Sequence, residues 1–181
     1  MNGASGRLWL SLKRPEYEHP YLRHQAKALR NAHPDRLLQS WDRIPGSTFY
    51  DHVQLRVRSD LLWPAYEILY PRDKLQISAR ALRMAGMDGF VALWCDNGTR
   101  RSARADVVLK HTIVTPEEAT EWCQSLGLAP TAVKRPRERQ LLLQWHGAAA
   151  QGLMKTLRPL VHRSMRRTLW PPSESDPSLY A

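Results

Sequence analysis

Polar and apolar residues alternate most cleanly along residues 50–58. His52, Gln54, Arg56 and Arg58 share one side, and Val53, Leu55 and Val57 share the other. A period of two marks a strand with one face on a core and one in water. Residues 7–13 alternate partly and predict another strand. Pro15 then opens a helix running to Asn31, with Tyr17, Tyr21, Leu22, Ala28 and Leu29 as its apolar positions. Pro20 fits only near a helix start, so it kinks this helix or delays it. Residues 36–43 predict a strand, and Pro45-Gly46-Ser47 a turn. Ser59 caps a helix carrying Leu61, Leu62, Tyr66, Leu69 and Tyr70. Residues 71–85 read as a linker.

The period changes again at residues 86–97, an apolar, small-residue stretch that predicts a helix closed by Gly98. Residues 100–113 predict a turn and a strand, with Val107, Leu109 and His111 alternating against Val108 and Lys110. Thr115-Pro116-Glu117-Glu118 combines a capping threonine, a proline at the first helical position and a glutamate three residues on. Ala119, Trp122, Cys123 and Leu126 follow on one helical face, and Gly127 ends the helix. Residues 131–146 predict a basic hairpin with Lys134, Arg135, Arg137 and Arg139 near its tip, and residues 148–160 a last helix. The tail 171–181 is rich in Pro, Ser and Asp and is expected to be flexible. The order strand 7–13, helix, hairpin 36–58, helix recurs as strand 106–112, helix, hairpin 131–146, helix. The repeat lies in pattern, not in letters.

Composition narrows the partner. The 181 residues carry 27 Lys+Arg against 17 Asp+Glu, a net charge of +10 and a pI near 10.1. That favours a polyanion. Arginine outnumbers lysine, which suits bidentate phosphate and base-edge contacts. No apolar run is long enough for a membrane span. The start lacks the apolar core of a secretory signal. Cys95 and Cys123 both fall in apolar helical patterns and read as buried thiols in a reducing, intracellular compartment. A mitochondrion or other organelle is compatible with this reading.

Residues 86–99, Gly-Met-Asp-Gly-Phe-Val-Ala-Leu-Trp-Cys-Asp-Asn-Gly-Thr, resemble the second motif of the LAGLIDADG homing endonucleases, a helix with an acid at its tip just before a glycine. Gln54 to Lys74, with Tyr70-Pro71-Arg72-Asp73-Lys74, is similar to that family's strand, helix and Tyr-Pro-x-Gly-Lys linker. Leu157 to Leu169 is similar to its closing segment. The resemblance implies an α+β fold of two pseudo-symmetric αββαββα halves: 1–74, lacking its motif helix, and 75–170, with motif helix 86–98. Two motif helices would meet at an axis, with Gly89, Ala92 and Gly98 permitting close approach. Two curved sheets would face nucleic acid, with Arg56, Arg58, Arg100, Arg101, Arg104, Lys110, Lys134, Arg135, Arg137 and Arg139 as the contact set.

In family members that cut, one acid from each motif helix holds divalent metal. Here Asn97 stands immediately before the glycine, and Asp96 is turned about 100° away by the helix. Asp96 and Asn97 therefore form a degenerate catalytic pair, with Asp96 the one charged metal ligand. The chain also starts where a first motif helix would have ended. The favoured expectation is a nucleic-acid-binding protein without autonomous cleavage and without cofactor. It would be recruited to RNA as an intron-splicing helper or a component of a ribosome-like ribonucleoprotein. A second copy or another protein would cover the motif helix. The alternative is a working Mg2+-dependent DNA endonuclease, acting as a homodimer or with a partner half. A protein-interaction module is the third class.

Other chemistries find little support. No Walker loop, Gly-x-Gly-x-x-Gly or His-Glu-x-x-His occurs. The histidines are scattered without ligand spacing. Trp94 and Trp122 are expected in a core. Trp41 and Trp145 lie in strands, with core packing favoured over stacking on bases.

Overall fold

A computed structural model describes residues 8–32, 38–45 and 51–169. The expected turn after Pro45 falls mostly outside the described residues, and the expected flexible tail wholly so. The chain forms two compact units, Met1–Glu67 and Ile68–Ala181. The sequence expectation placed that boundary at residue 74. No helix among the described residues is long and apolar enough to cross a membrane.

The first unit contains β1 (Leu8–Pro15), α1 (His19–Ala32), β2 (Leu38–Ile44) and β3 (His52–Ser59). The strands form an antiparallel sheet in the order β1-β3-β2. Pro20 is the second residue of α1, so the proline delays the helix instead of kinking it. Leu22 and Ala26 of α1 bury against Val53, Leu55 and Val57, with Leu10, Leu12 and Leu29 around them. Trp41 lies on this helix side of the edge strand. It meets the His19 ring edge-on at 5.4 Å and stays 39% exposed. Desolvation first, and the Arg23 guanidinium second, hold His19 below its ordinary pKa. Ser59 caps the next turn, accepting from the Leu61 amide at 3.1 Å, and α2 (Trp63–Leu69) follows.

The second unit holds α3 (Ala79–Asn97), β4 (Gly98–Arg101), β5 (Arg104–Lys110), α4 (Pro116–Ser125), β6 (Ala132–Arg137), β7 (Gln140–His146) and α5 (Gly147–Leu157). A 3-10 segment, Arg163–Leu169, closes it. The sheet order is β4-β5-β7-β6, all antiparallel. The capping box forms as expected: the Glu118 amide donates to Thr115 Oγ1 at 3.2 Å, and the Thr115 amide to Glu118 Oε2 at 2.9 Å. Ala105, Val107 and Leu109 of β5 and Leu141, Leu143 and Trp145 of β7 line one buried sheet face. Trp145 is core, with its ring edge-on to Phe90 at 5.9 Å and its Nε1 donating to the Leu128 carbonyl at 3.0 Å. Cys95 and Cys123 are both buried and unpaired with each other, and burial pushes the Cys123 thiol up to about 12.

The helix starts earlier than the sequence pattern suggests. Residues 79–85, read as linker, are helical, capped by Ser78, whose Oγ accepts from the Ala81 amide at 3.3 Å. Ala81 and Leu82 bury there. Gly86 then breaks the helix with φ 55° and ψ −149°, a backbone state that only glycine adopts readily.

Connectivity repeats between the units. The run β5-α4-β6-β7-α5 and the run β1-α1-β2-β3-α2 match element for element. The sheet orders β5-β7-β6 and β1-β3-β2 match as well. The second unit adds α3 and β4 at its front. Among the described residues, the first unit has no counterpart of either.

Candidate nucleic-acid interface

Helices cover one face of each sheet, so strand alternation decides what the other face offers. In the second unit the register aligns Thr99 with Asp106, Arg101 with Arg104, Lys110 with Gln140, Lys134 with Leu142, and Arg137 with Gln140. Each of these residues is offset by one from the buried row. Arg101, Arg104, Lys110, Lys134 and Arg137 therefore share the open face. All but Arg104 are exposed. Arg104 is held in place: its Nε donates to Asp106 Oδ1 at 2.7 Å, and Gln144 Nε2 donates to the same oxygen at 3.0 Å. Asp106 and Gln144 are both buried. This polar triad sits in the middle of the open face, next to the Val108–Leu142 pair and with the cations around it, and gives the face a fixed hydrogen-bonding pattern. The sequence reading missed Asp106 and Gln144: Gln140, Gln144 and His146 share one parity of β7, but the run Leu141-Leu142-Leu143 hides the alternation.

The open face of the first sheet carries Lys13, Gln54, Arg56 and Arg58 by the same parity. Arg56 Nε pairs with Asp42 Oδ2 at 3.4 Å. Its Nη2 donates to Gln54 Oε1 at 3.3 Å, and Gln54 in turn bonds Ser11 Oγ.

Three of the ten expected contact residues bond to backbone carbonyls within the protein. Arg100 pairs in register with buried Ala105, on the helix side of the sheet. Its Nη1 donates to the Leu169 carbonyl at 2.9 Å. The expectation that Arg100 faces the same way as Arg101 fails because adjacent residues in a strand point to opposite faces. Arg135 lies in the irregular part of β6 between Lys134 and Arg137 and donates to the carbonyls of Val114 and Glu138. Arg139 donates to the Leu75 carbonyl at 3.3 Å.

The motif helix shows why its residues are what they are. Phe90, Trp94 and Cys95 turn into the core, and Trp94 Nε1 donates to Thr168 Oγ1 at 3.1 Å. Ala92 and Gly89 are half-buried. A Cβ on Gly89 would come within 2.2 Å of the Ala85 Cβ, because the break at Gly86 folds the preceding turn inward. A Cβ on Gly98 would come within 2.5 Å of the Trp94 carbonyl oxygen and 2.6 Å of its ring. Both glycines thus have a local steric reason. At the helix tip, Asp96 is exposed and Asn97 half-buried, as the helical rotation requires. Among the described residues, no three His, Cys, Asp or Glu side chains gather as a metal site. One carboxylate and one uncharged amide, turned apart, do not by themselves make a magnesium site.

No protein-family model and no curated protein matches the chain. Solved structures do match. The homing endonuclease I-WcaI, bound to its DNA recognition sequence, superposes with a TM-score of 0.60, covering 94% of this chain and 79% of that one at 11% identity. I-DmoI in complex with DNA and Ca gives 0.52, covering 87% and 78% at 15% identity. Mesophilic variants of I-DmoI give 0.51 over the same shares at 14% identity. With its mixed helices, its two antiparallel sheets and their repeated connectivity, the chain has the homing-endonuclease fold.

Proposed function

We propose that this chain binds nucleic acid through the open faces of its sheets, does not cut it unaided, and serves RNA as a splicing helper or ribonucleoprotein component. The observation that carries the binding is the row Arg101, Lys110, Lys134 and Arg137, with Arg104 anchored among them, on one uncovered face. Solved structures with this fold include DNA-bound proteins, and a net charge of +10 suits any polyanion. Asn97 at the motif tip supports the loss of cutting, because an amide cannot supply the charge that a metal-holding carboxylate does. RNA is the reading that leaves such a scaffold a use once cutting is gone.

Labelled duplex DNA and structured RNA titrated in parallel against the purified chain test this reading. If the five cations each neutralise one phosphate, the log–log slope of affinity against salt is about −4 to −5 on duplex DNA. No binding to either polymer at low salt sinks the proposal. RNA bound no more tightly than DNA removes its RNA part. The second reading, a Mg2+-dependent DNA endonuclease, is favoured by the DNA complexes of the structural neighbours. Under it, Asn97→Asp raises Mg2+-dependent cutting by orders of magnitude. Under the first, wild-type chain with Mg2+ leaves DNA intact.

A further inference from the structure

Beyond the sheet face, the second unit has an open groove of about 850 Å³ whose wall includes Arg72, Lys74, Thr112, Arg135, Glu138 and Arg139. Four cations face one acid there. Two of the cations are fixed in position. Arg135 is tied to the carbonyls of Val114 and Glu138, and Arg139 to that of Leu75. A carbonyl leaves a guanidinium's charge uncompensated. It also uses only one or two of its five donors, so the rest remain for an anion at reduced ordering cost. Among the described residues, neither Arg72 nor Lys74 takes part in an ion pair. Both side chains are exposed.

The backbone around the groove is also unusual. Arg72, Asp73 and His111 all have φ between 55° and 58°, a region costly for residues other than glycine. The two segments are stitched together: the Ile77 amide donates to the His111 carbonyl at 2.8 Å, and the Ile113 amide to the Ile77 carbonyl at 3.1 Å. The strained turns thus set Arg72 and Lys74 beside the hairpin that carries Arg135 and Arg139. The groove adjoins the open face through one row of the sheet. Lys110 and Arg137 both pair with Gln140, at the end of the hairpin where Arg139 lies.

We propose that this groove is a second, sequence-independent phosphate site, in which Arg72, Lys74, Arg135 and Arg139 hold the sugar–phosphate backbone of a nucleic acid whose bases lie over the sheet. The inference rests on the nucleic-acid reading above and adds a separate binding subsite to it. Phosphate is the ligand class because four cations, two of them held in place with donors to spare, face a single acid across the groove. A phosphate track, unlike a base edge, asks only for charge and direction.

The test uses the full chain with a labelled random-sequence duplex, and compares wild type with R72A/K74A and with R101A/K134A. Arg72 and Lys74 support no described hydrogen bond, so the double variant is expected to keep its fold, checked by circular dichroism. The expected result is a loss of roughly tenfold in affinity and a salt slope shallower by about 2, the same on every duplex sequence. R72K/K74R restores binding. If R72A/K74A binds like wild type while R101A/K134A is weakened, the groove site is overturned and the sheet reading stands. If wild type binds nothing at low salt, both fall.

Discussion

At the scale of single residues, neighbours in sequence do opposite jobs. Arg100 and Arg101 are adjacent, both basic and both in β4. Arg100 points to the helix side and bonds the Leu169 carbonyl, while Arg101 sits on the open face beside Arg104. Truncating Arg100 removes a charge-assisted hydrogen bond from a half-buried site, at a cost of about 1–2 kcal/mol. Arg100→Ala is therefore expected to lower the urea midpoint and leave nucleic-acid affinity nearly unchanged. Arg101→Ala is expected to do the reverse: affinity falls several-fold, while stability stays within about 0.5 kcal/mol. Urea melts and binding titrations on the two variants decide the matter. If both lose affinity equally, the assignment of faces is wrong.

At the scale of elements, the break in α3 shows how one residue shapes a helix. Gly86 holds φ 55° and ψ −149° with nothing near its missing Cβ, so the constraint there is conformational and not steric. Gly86→Ala is expected to cost about 1–3 kcal/mol. Gly152 makes the control. It lies inside α5, also with nothing near its missing Cβ, and has no positive φ. Gly152→Ala is expected to stabilise by about 0.5–1 kcal/mol, because alanine is the better helix former. Denaturant midpoints moving in the same direction for both variants would contradict this account.

Elements were legible where their signals were local. The Thr115 capping box, the alternation of β3 and β5, the basic hairpin and the Ser59 cap all rest on residues a few positions apart. The linker reading of residues 79–85 failed because Gly86 looks like a boundary, whereas it interrupts a helix that Ser78 has already started. The contact set was legible as a charge pattern but not as a face. Arg100 needed the register of β4 against β5, and Arg135 and Arg139 needed the loop carbonyls they bind. Arg72 and Lys74 lay in what read as linker, and only the folded turns bring them beside the hairpin.

At the scale of the whole molecule, the two units are unequally built. The described residues of the first unit bury Tyr21, Leu22, Ala26, Val53, Leu55 and Val57, between α1 and a three-stranded sheet. The second unit buries several times as many apolar side chains, including Phe90, Trp94 and Trp145, under three helices and four strands. A fully buried large apolar side chain contributes about 1.5–3 kcal/mol, so the difference in driving force is large even after ordering entropy is subtracted. β5 and β7 are also paired on both edges and covered on one face, whereas among the described residues of the first unit only β3 is paired on both edges. Local stability follows buried contact and protected backbone. Native-state hydrogen exchange is therefore expected to find the slowest amides in β5 and β7, at Val107, Leu109, Leu141 and Leu143. The amides of β3, Val53 to Val57, should open at distinctly lower free energy. Equal protection of β3 and β5 would mean that the chain unfolds as one cooperative body, and that the modest core of the first unit draws support from beyond itself. Added duplex should then separate the cases further. A ligand that holds both open faces raises the opening free energy of β3 as well as of β5, and one that holds only the second sheet leaves β3 where it was.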